Sequence, residues 1–217
     1  KENVEWATFG DSHAAAITYA LAEYLNSRNI GVQRNIYDGC PPAILDINSD
    51  CYQWRREAID RIVTDKKIKN VLVSYRMILY LYGKNFSDDE RALVWSDLVT
   101  ILETFISNNK NVFFVVQPPD LPFHIEKIAF WEPKIGSSNQ LIAATRQRWD
   151  ERNNYVNDRL LLLPEKVTVI DLTNTFCDED YCYGSDSNGY YYSDDNHLSI
   201  YGAKLMIENG VFEEETN

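Results

Sequence analysis

The stretch FGDSHAAA, residues 9–16, joins an apolar strand pattern to an alanine-rich helix pattern. The six residues before Gly10 read VEWATF, and residues 12 to about 28 carry apolar side chains at helical spacing. Gly, Asp and Ser are common in turns and helix caps, so this junction can be a plain loop. It can also present Ser12 as a nucleophile at a helix N-terminus, where the helix dipole favours negative charge on oxygen. The rest of the chain has to distinguish these two interpretations.

Strand and helix patterns alternate along the chain. Apolar strand patterns occupy residues 4–9, 30–36, 70–75, 111–116 and 167–172. Helix patterns cover residues 12–28, 51–64, 87–107, 138–162 and 198–210. Gly210 can end the last of these helices. The alternation predicts one α/β domain over residues 1–217, with a five-stranded parallel sheet covered by helices on both faces. Ligands of such sheets bind beyond the carboxyl ends of the strands, where Ser12 and the loop after the fifth strand both lie.

The composition, 45% hydrophobic and 25% charged, is that of a globular protein. A net charge of −12 argues against nucleic acid or an anionic membrane surface as a direct partner. No apolar run approaches the length that spans a bilayer, so we expect no direct membrane insertion. The N-terminal residues KENVEWATFG lack the apolar core of a signal peptide. If the protein works outside the cytoplasm, this chain is therefore expected to be a mature or excised piece.

Four cysteines fall as two local pairs in loop-like sequence, Cys40 with Cys51 and Cys177 with Cys182. Four cysteines allow three pairings, of which the pairing of neighbours is the simplest. Neither pair has the close spacing of a zinc site and no histidines cluster near them, so we expect no metal. Two local disulfides would indicate an oxidising compartment, and four free thiols are the alternative.

Near the C-terminus, Asp194 and His197 stand three residues apart in the segment YYSDDNHLSIYG. A serine nucleophile needs a base to take its proton, and the base needs a carboxylate that fixes its tautomer. The D-x-x-H spacing lets the carboxylate fold back onto its own histidine and leaves the other ring nitrogen for a serine from elsewhere. Asp195 is an alternative carboxylate with a less favourable offset. Ser12, His197 and Asp194 are therefore the candidate catalytic residues.

The other two histidines of the chain are not expected to act as the base. His13 follows the candidate serine and is expected to point elsewhere on its helix. His124 lies in a loop between prolines and aromatic residues, without a partner in sequence.

The segments FGDSHA and DDNHLSIYGA resemble the SGNH hydrolase superfamily, and the resemblance covers essentially the whole chain. Residues 10–12 match the first sequence block of that superfamily, and residues 194–197 match the fifth. The resemblance implies a three-layer α/β/α sandwich, a Ser12–His197–Asp194 triad and ester chemistry without a metal.

The segments GDSHA, GCPP and HLS, with the second cysteine pair, are similar to a narrower group. This is the SGNH domain fused to the C-terminus of acyltransferase-3 membrane proteins. There, the membrane part is thought to bring acetyl groups across the inner membrane, and the SGNH domain to pass them to a polysaccharide such as lipopolysaccharide O-antigen. The resemblance implies a periplasmic location, a carbohydrate acceptor and an acyltransferase-3 transmembrane domain in the same polypeptide. It implies acetyl-CoA as the ultimate donor for the full-length protein, with no cofactor in this domain.

The chain departs from the superfamily in the third block, which normally supplies an asparagine to the oxyanion hole. Arg76 stands about where that asparagine is expected, after the strand pattern NVLVSY. Arg76 is therefore a candidate for the oxyanion hole or for an anionic acceptor, and a structural ion pair is the alternative. The backbone N–H groups of Ser12 and Gly39 are the other candidate donors, Gly39 being the candidate for the second block.

Three functions remain open from the residues alone. The first is acyl transfer through an acyl-serine to a sugar hydroxyl, and the second is a secreted carbohydrate esterase with water as acceptor. The third is a non-catalytic carbohydrate-binding domain. Aromatic rings in two loops could stack on sugars, act as a lid or face the membrane domain. The candidates are Phe123, Phe130, Trp131, Tyr190, Tyr191 and Tyr192.

Overall fold

The computed structural model of the protein describes residues 3–43, 47–83, 86–131 and 140–211. In chain order the strands are β1 (Val4–Gly10), β2 (Gly31–Ile36), β3 (Asn70–Ser74), β4 (Asn111–Val115), β5 (Leu141–Thr145), β6 (Val167–Ile170) and β7 (Tyr181–Ser185). The helices are α1 (Ser12–Asn26), α2 (Asp50–Thr64), α3 (Met77–Leu81), α4 (Asp88–Ser107), α5 (Ile125–Trp131), α6 (Arg146–Asn157), α7 (Thr173–Phe176) and α8 (Ile200–Met206). A 3₁₀ turn, Leu160–Leu162, follows α6, and a π-helical turn, Ile207–Val211, follows α8.

Within the described residues, five strands form one parallel sheet in the order β2-β1-β3-β4-β6. In the central strand β3, the successive residues Val71, Leu72 and Val73 are all fully buried. Successive side chains of a strand point to opposite faces, so both faces of the sheet are covered. Helix α1 packs with α8, and α2 packs with α4. The fold is the expected three-layer α/β/α sandwich with a five-stranded parallel sheet.

Polar side chains cap the helices at the starts that the sequence predicted. Asp11 caps α1, and Ser49 caps α2 through the N–H of Tyr52. Ser87 and Glu90 form a reciprocal capping box at the start of α4. These local bonds satisfy N–H groups that have no partner inside the helix.

The helix predicted over residues 138–162 is wrong in its first part. Residues 138 and 139 lie outside the described residues, residues 141–145 form β5, and α6 begins at Arg146. Strand β5 pairs antiparallel with β7, which the sequence analysis did not predict. A short apolar run such as LIAAT has no period that separates a strand from a helical turn. Thr145 marks the boundary, because its side chain accepts the N–H of Arg148 and caps α6.

Gly210 does not end the last helix, contrary to the sequence-based expectation. Helix α8 stops at Met206, and Gly210 lies inside the π-helical turn that follows. A Cβ at Gly210 would lie 2.6 Å from Cγ2 of Ile170. The glycine therefore allows this turn to pack closely on β6.

Loops from the carboxyl ends of the strands meet at one edge of the sheet, where the sequence predicted the site. In the loop after β4, the N–H of Leu121 donates to the carbonyl of Asp195 at 2.6 Å, and the N–H of Ile125 donates to that of Asp194 at 3.1 Å. The loop after β4 is therefore fixed to the loop that carries Asp194. The short helices α3, α5 and α7, which the sequence analysis did not predict, belong to the loops of this edge.

Candidate active site

Ser12 is the first residue of α1 and follows β1 after a single intervening residue. Gly10 permits this close exit from the strand, because its φ is +149° and a Cβ there would lie 1.8 Å from the carbonyl oxygen of Ser74 on β3. The preceding Phe9 is fully buried and stacks on Trp54 with ring centroids 5.6 Å apart. The close contact with β3 and the anchored ring together hold Ser12 at the helix N-terminus.

Ser12, His197 and Asp194 form one chain of hydrogen bonds. His197 Nε2 lies 2.8 Å from Ser12 Oγ, and His197 Nδ1 lies 2.6 Å from Asp194 Oδ2. Because an ionised carboxylate only accepts, Nδ1 carries the proton and the lone pair of Nε2 faces the serine hydroxyl. The D-x-x-H loop thus folds back on its histidine as its spacing predicted. Among the described residues, no hydrogen bond joins Asp195 to the His197 ring, and its Oδ1 accepts from Asn196 instead.

The second oxygen of Asp194 accepts two backbone hydrogen bonds. The N–H of Asn196 donates to Oδ1 at 2.8 Å and the N–H of His197 at 2.7 Å. Burial opposes the charge of Asp194, but these two bonds and the bond to the His197 ring outweigh it and lower the pKa of Asp194. Asp194 is therefore ionised at neutral pH and can orient His197 and stabilise its protonated form.

Asp11 links the start of α1 to the end of β3. Its Oδ1 accepts the N–H of His13 at 2.9 Å, and its Oδ2 accepts the N–H of Arg76 at 2.9 Å and the hydroxyl of Tyr80 at 3.1 Å. Burial raises the pKa of Asp11, and these hydrogen bonds hold that rise down. The carboxyl group therefore fixes the turn that carries Ser12 against the neighbouring strand.

His13 lies beside the candidate site and does not point elsewhere on its helix, contrary to the sequence-based expectation. Its ring centroid lies 5.1 Å from that of His197, and its Nε2 lies 2.9 Å from Oδ1 of Asn196. Burial lowers the pKa of His13 to about 3, and the bond to Asn196 opposes this shift. The positive charge that His197 carries when protonated adds to the shift, as does the charge of Arg76. A neutral imidazole therefore packs beside the Ser12–His197 pair.

Arg76 and Gly39, the two predicted oxyanion or substrate contacts, differ in their surroundings. The buried Nε of Arg76 has no hydrogen-bond partner among the described residues, and no ion pair to this side chain occurs among them. Gly39 lies in an exposed turn with a φ of +70°, and a Cβ there would meet no atom within 4 Å. No hydrogen bond within the described ranges joins Gly39 to Ser12. The roles of both residues stay predictions.

Both predicted disulfides form, Cys40–Cys51 and Cys177–Cys182. The first ties the turn that contains Gly39 to the first turn of α2, and the second connects the end of α7 to β7. Disulfides persist in oxidising compartments, so the pairs indicate an extracytoplasmic location. Across the described ranges, no group of His, Cys, Asp and Glu side chains is arranged to hold a metal ion. None of the helices in those ranges has the length and apolar character needed to cross a membrane.

The aromatic side chains considered for sugar stacking fall into two groups. Tyr191 and Tyr192 are buried in the core and cannot contact a glycan. The exposed members are Phe123, Phe130, Trp131 and Tyr190. Lys127 Nζ lies 4.7 Å and 4.4 Å from the ring centroids of Phe123 and Trp131. These two rings border a cleft of about 520 Å³, and they lie in the loop that is bonded to the Asp194 loop.

A protein-family model described as "SGNH domain (fused to AT3 domains)" matches residues 1–209. The chain belongs to this family. The matched span includes Ser12 at one end and the Asp194–His197 loop at the other. No curated protein sequence matches the chain significantly. The SGNH family and fold support an enzyme that transfers or hydrolyses acyl groups.

Several solved structures share the SGNH fold. The periplasmic domain of the lipopolysaccharide acetyltransferase from Salmonella ser. Paratyphi A matches with a TM-score of 0.71 at 16% identity, covering 100% of this chain and 85% of that one. A carbohydrate acetylesterase from Sinorhizobium meliloti matches with a TM-score of 0.57 at 13% identity, covering 98% of each chain. An aryl esterase from M. smegmatis matches with a TM-score of 0.54 at 16% identity, covering 98% and 97%. At these identities the likeness establishes the fold alone.

Sequence reasoning missed Asn196 and Tyr80, which bond to His13 and Asp11 respectively. Each bond joins residues far apart in the chain, so neither follows from local spacing. An available signal for Asn196 was its place between two candidate catalytic residues, where a buried amide has to be hydrogen-bonded.

Proposed function

We propose that this SGNH domain is an O-acetyltransferase that passes an acetyl group through Ser12 to a sugar hydroxyl of a cell-envelope polysaccharide, such as lipopolysaccharide O-antigen. The observation that carries the proposal is the hydrogen-bond chain from Ser12 Oγ through His197 to Asp194, at 2.8 Å and 2.6 Å. The Salmonella domain, described as part of a lipopolysaccharide acetyltransferase, supports this choice of acceptor.

The reaction proceeds in two transfers that use the same base. His197 Nε2 takes the hydroxyl proton as Ser12 Oγ bonds to the acetyl carbonyl carbon, and the leaving group departs with that proton. A sugar hydroxyl then gives its proton to His197 and attacks the acetyl carbon. The Oγ–acetyl bond breaks, and the proton returns to Ser12. Asp194 stabilises the imidazolium in both transfers.

The oxyanion of each tetrahedral intermediate requires donors near Ser12. The backbone N–H groups of Ser12 and Gly39 and the Arg76 guanidinium are the proposed donors. Each donor of this kind contributes on the order of 3 kcal/mol to the transition state. The unpartnered Nε of Arg76 supports its assignment to this hole or to an anionic acceptor.

The proposed setting is the periplasmic side of a bacterial inner membrane. The family description, which names fusion to AT3 domains, supports an acyltransferase-3 transmembrane domain as partner in the same polypeptide. Acetyl-CoA is the proposed ultimate donor for that full-length protein, and the SGNH domain itself uses no cofactor or metal.

A carbohydrate esterase is the second candidate, because the side chain of His197 is 31% exposed and water can reach the acyl-enzyme. Both functions use the same residues and differ in the molecule that reaches the acyl-enzyme first.

The test is to incubate the purified domain with an aryl acetate and identify acetylated peptides by mass spectrometry. We expect an acetyl adduct on the Ser12 peptide that is absent from Ser12→Ala and present in Ser96→Ala, which alters an exposed serine of α4. An adduct that survives in water and is discharged by added polysaccharide supports transfer, whereas rapid loss in water supports the esterase. An active Ser12→Ala enzyme would overturn both candidates. No adduct and no turnover in the wild type would leave the carbohydrate-binding domain.

A further inference from the structure

Two consecutive residues of α1 bond to two consecutive residues of the Asp194 loop. Ser12 Oγ lies 2.8 Å from His197 Nε2, and His13 Nε2 lies 2.9 Å from Asn196 Oδ1. The pairs run in opposite directions along the chain, 12 with 197 and 13 with 196. We call the Ser12–His197 bond the first rung and the His13–Asn196 bond the second rung. His13 and Asn196 are only 3% and 4% exposed, whereas the first rung is partly open to solvent.

The direction of the second rung follows from the groups around Asn196. Its Nδ2 donates to Oδ1 of Asp195 at 2.9 Å, so its Oδ1 is the atom that faces His13. An amide oxygen only accepts, and His13 therefore donates through Nε2–H. This bond fixes His13 in one neutral tautomer, in contrast to His197, whose Nδ1 carries the proton.

We propose that the His13–Asn196 bond is a positioning device that sets the register of Ser12 against His197. This inference rests on the acyl-transfer chemistry proposed above. The second rung joins α1 to the catalytic loop through buried side chains and does not change its own protonation during turnover. The first rung, in contrast, breaks in the first transfer, when His197 takes the proton and Ser12 bonds to the acetyl group. It re-forms only when the second transfer returns the proton to Ser12. His13 and Asn196 hold the two elements together at that stage.

The charged groups that face His13 favour its neutral form. His197 approaches from the catalytic loop and Arg76 from the end of β3, and the positive charge of each opposes protonation of His13. Asp194, in the same loop as His197, acts in the opposite direction. The hydrogen bond between Asp11 and His13 involves the backbone N–H of His13 and not its ring. Because His13 stays neutral, the site holds one imidazolium during transfer and not two that repel each other.

The first test does not depend on activity, because it observes the imidazole rings directly by NMR. The chain contains only three histidines, His13, His124 and His197, so their signals can be assigned. Long-range ¹H–¹⁵N correlation spectra of the imidazole rings distinguish the tautomers. We expect His13 to show a single Nε2–H tautomer from pH 5 to 8, and Asn196→Ala to convert it to a mixture. A tautomer mixture in the wild type would overturn the pairing, whatever the activity of the domain.

The second test is a double-mutant cycle on aryl acetate turnover. Loss of the rung in His13→Phe or in Asn196→Ala is expected to lower kcat on the order of 10- to 100-fold with KM changed much less, since small displacements of reacting groups cost this much. The double variant is expected to lose little more than either single one. His13→Gln, whose amide can replace Nε2–H, is expected to recover most of kcat.

A matched control removes a hydrogen bond of α1 that lies away from the catalytic loop. Thr18 Oγ1 bonds to Thr8 Oγ1 at 2.8 Å, and Thr18→Val is expected to keep wild-type kcat. Additive losses in the double variant, or no recovery in His13→Gln, would overturn the positioning role. A wild type with the expected tautomer but no adduct or turnover would overturn the proposed function and leave the pairing itself in place.

Discussion

At the scale of single residues, Asp194 decides which nitrogen of His197 carries the proton. Its Oδ2 holds Nδ1–H at 2.6 Å, and the backbone N–H groups of Asn196 and His197 hold its other oxygen. An asparagine at this position could donate to Nδ1 and leave the proton on Nε2. The ring could then no longer accept the proton of Ser12.

We therefore expect Asp194→Asn to lower kcat by about 10⁴-fold while the fold is kept, as for the equivalent change in serine proteases. Steady-state kinetics with an aryl acetate measure this, with circular dichroism as the check on folding. Asp150→Asn makes the same chemical change at a half-exposed surface position of α6 and is expected to keep wild-type activity. Equal activities of Asp194→Asn and the wild type would remove Asp194 from the mechanism.

The burial of His13 is expected to make the free energy of unfolding depend on pH. Burial lowers its pKa in the folded protein to about 3, against 6.5 for an ordinary histidine. Between these values the unfolded chain binds a proton that the folded one does not, so the free energy of unfolding decreases as the pH falls from about 6.5 toward 3. Asp11, whose pKa is raised, has the opposite effect as the pH falls through its titration range.

The contribution of His13 can be isolated by comparison with His13→Gln, which keeps Asp11 and Asp194. Urea unfolding at pH 4.5, 5.5, 6.5 and 7.5 should show the wild type losing more stability than the variant at the acid end. Parallel pH profiles for the two proteins would mean that His13 is charged when folded.

At the scale of elements, the sequence predicted what is local and missed what depends on distant partners. All five strands of the parallel sheet were predicted. The central strand β3 is a nearly continuous apolar run, as expected for a strand that is buried on both faces, whereas the edge strand β2 is polar at residues 33–35. The helix prediction for β5 is wrong because the pairing of β5 with β7 depends on a distant segment and cannot be inferred from the five residues of β5. The same holds within the site. Asp194 and His197 contact each other within one turn and were predicted, whereas the His13–Asn196 bond was not.

The two disulfides are local constraints of different loop length. Their cysteines are 11 residues apart for Cys40–Cys51 and 5 for Cys177–Cys182. The chain-entropy estimate gives about 3 kcal/mol for the first and about 2 kcal/mol for the second. We expect Cys40→Ala/Cys51→Ala to destabilise the domain more than Cys177→Ala/Cys182→Ala, as measured by urea unfolding. The reverse order would show that the packing of the second loop, and not chain entropy, dominates.

At the scale of the whole molecule, exposed apolar side chains occur at both edges of the parallel sheet. Phe123 and Trp131 follow β4 at the carboxyl edge, in the loop whose backbone bonds to Asp194 and Asp195. Leu161 is 98% exposed in the turn that precedes β6 and therefore belongs to the opposite edge. Of these two regions, the first lies at the edge of the sheet that carries Ser12, where a glycan hydroxyl would have to reach the proposed acyl-serine.

The aromatic pair is therefore expected to affect acceptor use and not acyl-enzyme formation. In Phe123→Ala and Trp131→Ala, transfer to polysaccharide should fall several-fold, because a single aromatic contact contributes about 0.5–1.5 kcal/mol. Turnover of a small aryl acetate should stay near the wild-type value, since neither ring is part of the Ser12–His197–Asp194 hydrogen-bond chain. Leu161→Ala removes an exposed apolar side chain at the other edge and should change neither rate.

Both rates are measured on the same preparations, by release of the aryl alcohol and by acetyl incorporation into the glycan. If the aryl acetate rate falls in parallel with glycan transfer, the rings support the catalytic loop; if neither rate changes, the acceptor binds elsewhere on this edge.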